Sequence, residues 1–288
     1  MKRTRIGLLL LVVCSIFLLA SCLTVNAKKI IEPPYRPPVV ENAFDTGAIE
    51  STFRIYYSKT DVPAIDGDFS EWLGLSGVHV RRMVYGGLFD PVNTDGHFVL
   101  RTDGEKLYLF ADITDDDPGT NAFPVPQAWR GDSIEFFFGT DTGKHSFYKN
   151  TDKRVRIVPT SKSSKFAYKI GINDQPIESD DIKIAIFFTD NGYKIEAALP
   201  FSLMNIKALK VGQKVRGDFQ INDADGGKER ARLIHWNSPG DNTYIDASSW
   251  GDGEVVELPE ERNFEVEVST SNADVEAVEV ETVEESAE

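Results

Sequence analysis

The feature that most restricts this chain is its punctuation. From Thr52 to Leu258, short runs of alternating apolar and polar residues follow one another, separated by glycine, proline, asparagine or aspartate. The runs are Phe53–Tyr57, Val78–Val84, Phe98–Arg101, Leu107–Ile113, Ser133–Phe138, Arg154–Val158, Phe166–Ile170, Ile182–Phe188, Tyr193–Leu199, Val215–Asn222 and Leu233–Trp236. In the fourth, Leu107, Leu109 and Ala111 point one way and Tyr108, Phe110 and Asp112 the other, as a pleated strand requires. Only one short helix is expected, Phe201–Ile206 after Pro200. About ten to twelve short strands with almost no helix predict an all-β fold, an antiparallel β-sandwich, over residues 51–258.

The ends of the chain read differently. Lys2, Arg3 and Arg5 precede an apolar run from Ile6 to Ala20, which reads as a signal peptide over residues 1–21. Leu19-Ala20-Ser21-Cys22 resembles a bacterial lipobox, which implies a diacylated Cys22 and membrane contact through the lipid. A plain signal peptide with an incidental Cys22 is the alternative. The other cysteine, Cys14, lies within the leader, so the exported chain would hold no disulfide and would depend on its core. Residues 22–50, with Glu32-Pro33-Pro34-Tyr35-Arg36-Pro37-Pro38, read as a stiff proline-rich linker. Residues 259–288 read as a disordered acidic tail: from Glu260 onward there are eleven acids against one base, Arg262. The expected location is therefore the cell envelope. Leu23 after Cys22 is not a retention aspartate, which favours the outer membrane over the inner. A net charge of -15 argues against nucleic-acid partners.

Catalytic signatures do not stand out. There is no His-Glu-x-x-His, P-loop or Gly-x-Ser-x-Gly, and His79, His97, His145 and His235 lack ligand spacing. No carboxylate pair is singled out for glycoside hydrolysis, so an enzyme is not expected. Binding residues are better marked. If Ile134, Phe136 and Phe138 face inward, Glu135 faces out. By the same alternation Arg154 and Arg156 oppose Val155 and Ile157, and Gln220 and Asn222 oppose Phe219 and Ile221. Glu135, Arg156, Gln220 and Asn222 would then share one outer face if their strands are neighbours. Together they offer the acceptors and donors that sugar hydroxyls need. Periodicity alone also allows ordinary solvent-face residues. Trp129 and Trp236 sit where strands meet loops and would present flat apolar faces to a pyranose ring.

Four stretches then resemble a family-9 carbohydrate-binding module: Ile65–Trp72, Trp129–Phe136, Gly192–Ala198, and Phe219–Asp225 running on to Trp236. The resemblance implies a jelly-roll-like, immunoglobulin-like sandwich that clamps a terminal sugar between two tryptophans, here Trp129 and Trp236. Glu135, Arg156, Gln220 and Asn222 would be its hydrogen-bonding set, and a mono-, oligo- or polysaccharide its partner. It also implies structural calcium (Ca2+), for which Asp66, Asp68, Asp115 and Asp117 are the oxygen-rich turn candidates. The resulting expectation is a non-catalytic, lipid-anchored sugar-binding protein. An envelope structural or adhesion protein that contacts a protein partner is the alternative, and a glycoside-active enzyme is a more distant one.

Overall fold

A computed structural model describes residues 52–227 and 229–260. The expected signal peptide, Cys22, the expected linker and the tail from residue 261 lie outside the described residues. Fourteen strands are described: β1 Thr52–Tyr57, β2 Val78–Val80, β3 Arg82–Tyr85, β4 Thr94–Thr102, β5 Lys106–Asp115, β6 Ser133–Gly139, β7 Lys153–Pro159, β8 Tyr168–Ile172, β9 Gln175–Pro176, β10 Lys183–Thr189, β11 Gly192–Pro200, β12 Lys214–Asp223, β13 Arg232–His235 and β14 Gly251–Glu257. The expected helix after Pro200 is a single 3-10 turn, Phe201–Met204. Three further 3-10 turns, Phe69–Trp72, Val125–Arg130 and Asp225–Gly227, are not expected from the sequence.

The strands hydrogen-bond in the order β10-β11-β5-β4-β1-β14-β12-β6-β7-β8-β9, with β2 on β4, β13 on β12, and β3 on β13. This curled sheet folds onto itself as a sandwich. Phe98 of β4 meets Phe219 of β12 with ring centroids 5.1 Å apart, and one buried cluster joins Leu109, Ile113 and Ile195 from one half to Ile134, Phe136 and Ile221 from the other. Gly96 of β4 leaves room for Ile221, which an added Cβ would strike. The pairings are antiparallel except those of β1, which runs parallel to both β4 and β14 and joins the two halves. His79 and His97, dispersed in sequence, are cross-strand neighbours with ring centroids 4.8 Å apart.

Strand β14 carries little apolar alternation because two of its three inward positions are glycines. Gly251, Gly253 and Val255 are buried while Asp252 is exposed. The two glycines are there because rings lie over them. A Cβ on Gly253 would fall inside the Phe53 ring, and one on Gly251 inside the indole of Trp236. Phe53 meets Trp236 edge-on at 5.7 Å, so β1 and the residue that follows β13 form one aromatic plug over β14. Gly253→Val is expected to cost about 1–3 kcal/mol by overpacking, whereas Glu257→Ala, at an exposed position of the same strand, should stay within about 0.5 kcal/mol. Urea denaturation of the two variants checks this.

Candidate functional site

The outer face of the β7-β6-β12 half is polar yet buried, because loops cover it. Register places Glu135 of β6 opposite Arg156 of β7 on one side and Gln220 of β12 on the other. Asn222 lies one pleat further along, opposite Ser133. The convergence of Glu135, Arg156, Gln220 and Asn222 expected from alternation is therefore present.

Glu135 organises the group. Its Oε1 accepts from Arg156 Nε at 2.9 Å, Asn222 Nδ2 at 3.1 Å and Gln220 Nε2 at 3.2 Å. Its Oε2 has no hydrogen-bond partner and faces only Arg154 Nε at 3.5 Å. Burial alone would push the Glu135 carboxyl up. The Arg156 and Arg154 guanidiniums and the donors on Oε1 more than reverse this and hold it below the usual range. Arg156 also donates to the Val125 carbonyl at 2.7 Å and to Asp174 at 2.9 Å. Asp174 is placed by a two-residue hairpin turn, Asn173-Asp174, in which both residues have positive φ, the geometry of a type I′ turn.

Loops complete the site. The 3-10 turn Val125–Arg130 presents Trp129, which is 40% exposed. Asn121 Nδ2 and Ser133 Oγ both donate to the Ala128 carbonyl and pin that turn to the sheet. The loop after β13 is held by buried groups of β12. Asp218 accepts from the backbone N–H of Asn237 and Ser238, and Arg216 donates to the carbonyls of Ala247, Ser248 and Trp250. This loop brings Asp241 and Tyr244, the latter 49% exposed, to the same place. The result is a cleft of about 330 Å³, with Trp129 and Tyr244 as its aromatic walls and Glu135, Arg154, Arg156 and Gln220 among the residues that line it.

The two tryptophans chosen from the sequence do not meet here. Trp236 is 4% exposed and lies in the core against Phe53 and Phe219. Its place at a strand end resembles a rim position, but Gly251 opens a hole beneath it and the ring fills that hole. Tyr244, not Trp236, lines the cleft together with Trp129. As a loop residue without periodicity, it gave no signal. Of the expected metal residues, Asp115 and Asp117 stay together, the Asp117 N–H donating to Asp115 Oδ1 at 2.9 Å. Asp66 and Asp68 are exposed; Asp66 accepts from the Asp68 N–H, and Asp68 caps the 3-10 turn Phe69–Trp72. Asp117 accepts from the Gly226 N–H.

The sequence profile described as "Carbohydrate family 9 binding domain-like" matches residues 65–258. The chain belongs to this family. Similar proteins include the exoglucanase XynX of Acetivibrio thermocellus, 26% identical over 190 residues, and the endo-1,4-beta-xylanase A of Thermotoga neapolitana, 24% identical over 200 residues. These alignments cover 66% and 69% of this chain but only 16% and 17% of the relatives, so the likeness concerns a module of much longer proteins. Two structures of a family 9 module from Caldicellulosiruptor kristjanssonii, in complex with cellotriose and with glucose, share the fold. Their TM-scores are 0.56 and 0.55 at 19% and 20% identity, covering 79% and 74% of this chain and 100% and 99% of theirs. The profile match starts at Ile65, so β1 lies outside it although it sits in the middle of the sheet.

In this family 9 domain, Asp115 stands with two acids that the sequence reading passed over, Asp132 and Asp223. Their carboxylate oxygens lie within 4.8 Å of one another, and all three residues are buried. Asp132 and Asp223 directly flank Ser133 and Asn222 of the polar floor, but only the β6-β12 register brings them together. Burial and the neighbouring carboxylates push Asp115 up to about 8; burial foremost pushes Asp132 up to about 7. Asp223 Oδ1 has no hydrogen-bond partner.

The depressed Glu135 makes a prediction about acid stability. A carboxyl with a lowered folded-state pKa stabilises the fold above its ordinary value of 4.5 and loses that contribution as pH falls below it. Glu135→Gln leaves two buried guanidiniums short of a counter-charge and should cost about 3–5 kcal/mol near neutral pH. The gap to wild type should narrow as the pH is lowered through the carboxylate range. Chemical denaturation at a series of pH values reads this directly, and a pH-independent gap would contradict it.

Proposed function

We propose that this is a non-catalytic carbohydrate-binding module that holds a sugar ring in the cleft between Trp129 and Tyr244. The observation that supports it best is the state of Glu135. One oxygen is saturated by three donors, while the other is buried, bordering the cleft, with no hydrogen-bond partner. A sugar hydroxyl is a suitable occupant because it can donate to that oxygen and accept from a neighbouring guanidinium at once. The aromatic walls offer flat apolar faces to the C–H side of the ring. The family relation and the two family 9 module structures solved with glucose and cellotriose point the same way. Binding should be modest, since hydroxyl desolvation offsets much of the gain.

The acid cluster suits a calcium ion. Three buried carboxylates repel one another, and burial penalises their charged forms, so a hard divalent cation with oxygen preference is the natural counter-charge. Asp115, Asp132 and Asp223 would hold it, and the ion would supply the positive charge that lets all three stay ionised. Asp132 lies three residues after Trp129 and accepts from the N–H groups of Gly119 and Ala224. The cluster therefore fixes the base of the loop that presents the aromatic wall. At its N-terminus, the lipobox-like Leu19-Ala20-Ser21-Cys22 supports export and lipid anchoring at Cys22, with the module displayed in the cell envelope, in the outer membrane rather than the inner.

Two measurements test these readings. In calorimetric titration with a panel of sugars including glucose and cellotriose, saturable binding is expected. Trp129→Ala and Tyr244→Ala should each weaken it about tenfold or more, the equivalent of about 1.4 kcal/mol. Trp236→Ala should instead cost about 3–5 kcal/mol of stability as a core truncation. A folded protein that binds nothing in the panel would sink the proposal. For the acid cluster, raised carboxyl pKa values mean that the ion-free fold loses stability as pH rises from about 4 to about 8. Melting in chelator should show that decline, and calcium should raise the melting temperature most at the alkaline end. No calcium effect at any pH would exclude the site.

A further inference from the structure

The aromatic surface does not stop at the cleft. Arg230 lines the cleft, and its guanidinium lies 5.0 Å from the Trp129 ring centroid and 5.8 Å from that of Tyr85. The same guanidinium donates through Nη1 to Asn222 Oδ1 at 3.2 Å and through Nη2 to Asp241. One cation thus ties the polar floor and the Trp129 wall to a second aromatic ring outside the cleft lining. The strand register agrees, because Asn222 lies opposite Leu233 and Leu233 opposite Tyr85. Tyr85 is therefore in the same lateral row as the floor, two strands away.

Tyr85 is open to solvent. Its ring is 55% exposed, and it is followed by Gly86 and Gly87, both at positive φ, and then by Leu88 at 92% exposure. A Cβ on Gly86 would strike the Ala231 carbonyl, and one on Gly87 would meet nothing within 4 Å, so the turn adds no side chain over the ring. A half-exposed tyrosine beside a guanidinium that already borders the cleft has what a second pyranose needs. The ring offers a face for C–H groups, and the guanidinium has N–H donors beyond the two committed to Asn222 and Asp241 for hydroxyls.

We infer that Tyr85 is the outer platform of a second sugar subsite, with Arg230 shared between it and the cleft. The domain then takes oligosaccharides of at least two rings in preference to a lone monosaccharide. The inference rests on the cleft reading above. Its occupant is the next ring of the same glycan, because the surface is continuous with the cleft through Arg230 and Asn222.

The test compares glucose with cellotriose in calorimetric titration of wild type, Tyr85→Ala, Tyr85→Phe and Trp129→Ala. Cellotriose should bind wild type more tightly than glucose. Tyr85→Ala should weaken cellotriose about twofold to tenfold, the range that one aromatic contact supplies, and leave glucose unchanged. Tyr85→Phe should keep the trisaccharide affinity, and Trp129→Ala should weaken both sugars. The substitution is at an exposed site, and melting temperatures confirm that the variants fold. Equal effects of Tyr85→Ala on both sugars, no effect on either, or no preference for cellotriose in wild type would each overturn the subsite while leaving the cleft standing. Failure of folded wild type to bind either sugar would overturn the cleft reading itself.

Discussion

A charged carboxylate cannot be placed under a layer of loops unless counter-charges are brought to it, and Glu135 is the case on which the site depends. Arg156 reaches it from the neighbouring strand and is itself fixed by the Val125 carbonyl and Asp174. Gln220 and Asn222 come to the same oxygen from the other side. Each partner therefore has one usable orientation. The floor is preorganised before any ligand arrives, and the second oxygen of Glu135 is left as a fixed acceptor. Preorganisation of this kind limits the ordering entropy that binding would otherwise cost.

Strand β12 carries this logic along its length. Its inward residues, Val215, Phe219 and Ile221, build the core, while Arg216, Asp218, Gln220 and Asn222 on its outward side are charged or polar and still buried. Arg216 and Asp218 hold the loop that bears Tyr244, Gln220 and Asn222 make the floor, and Asp223 joins the acid cluster. Loop fixation and the polar floor are thus set by alternate side chains of one strand, and Asp223 follows at its end on the inward side of the pleat. A register slip of one residue would turn all of them over together.

The sandwich and the polar floor were legible because both follow from a period of two. Ile134, Phe136 and Phe138 against Glu135, and Phe219 and Ile221 against Gln220 and Asn222, needed no knowledge of partners. Features set by packing between distant segments were not legible. Trp236 resembles a rim residue until Gly251 is seen beneath it, and β14 resembles a loop until Phe53 and Trp236 are seen to need its glycines. Asp132 and Asp223 are unremarkable singly and become a cluster only when β6 and β12 are aligned beside the end of β5. Tyr244 lies in a loop, where no periodic signal exists, and it is positioned by backbone contacts to Asp218 and Arg216 far away in sequence.

The parallel placement of β1 has a mechanical meaning. Thr52 pairs with Asp252 and Tyr57 with Glu257, so the chain enters this strand pair at one end and leaves it at the other. Tension on the segment ahead of residue 52 runs along the axis of β1, whose neighbours on both sides resist sliding at once. The hydrogen bonds are loaded together in shear instead of being peeled apart one by one. For any load applied from the N-terminal side, the strand nearest the load is also the one wedged between two others.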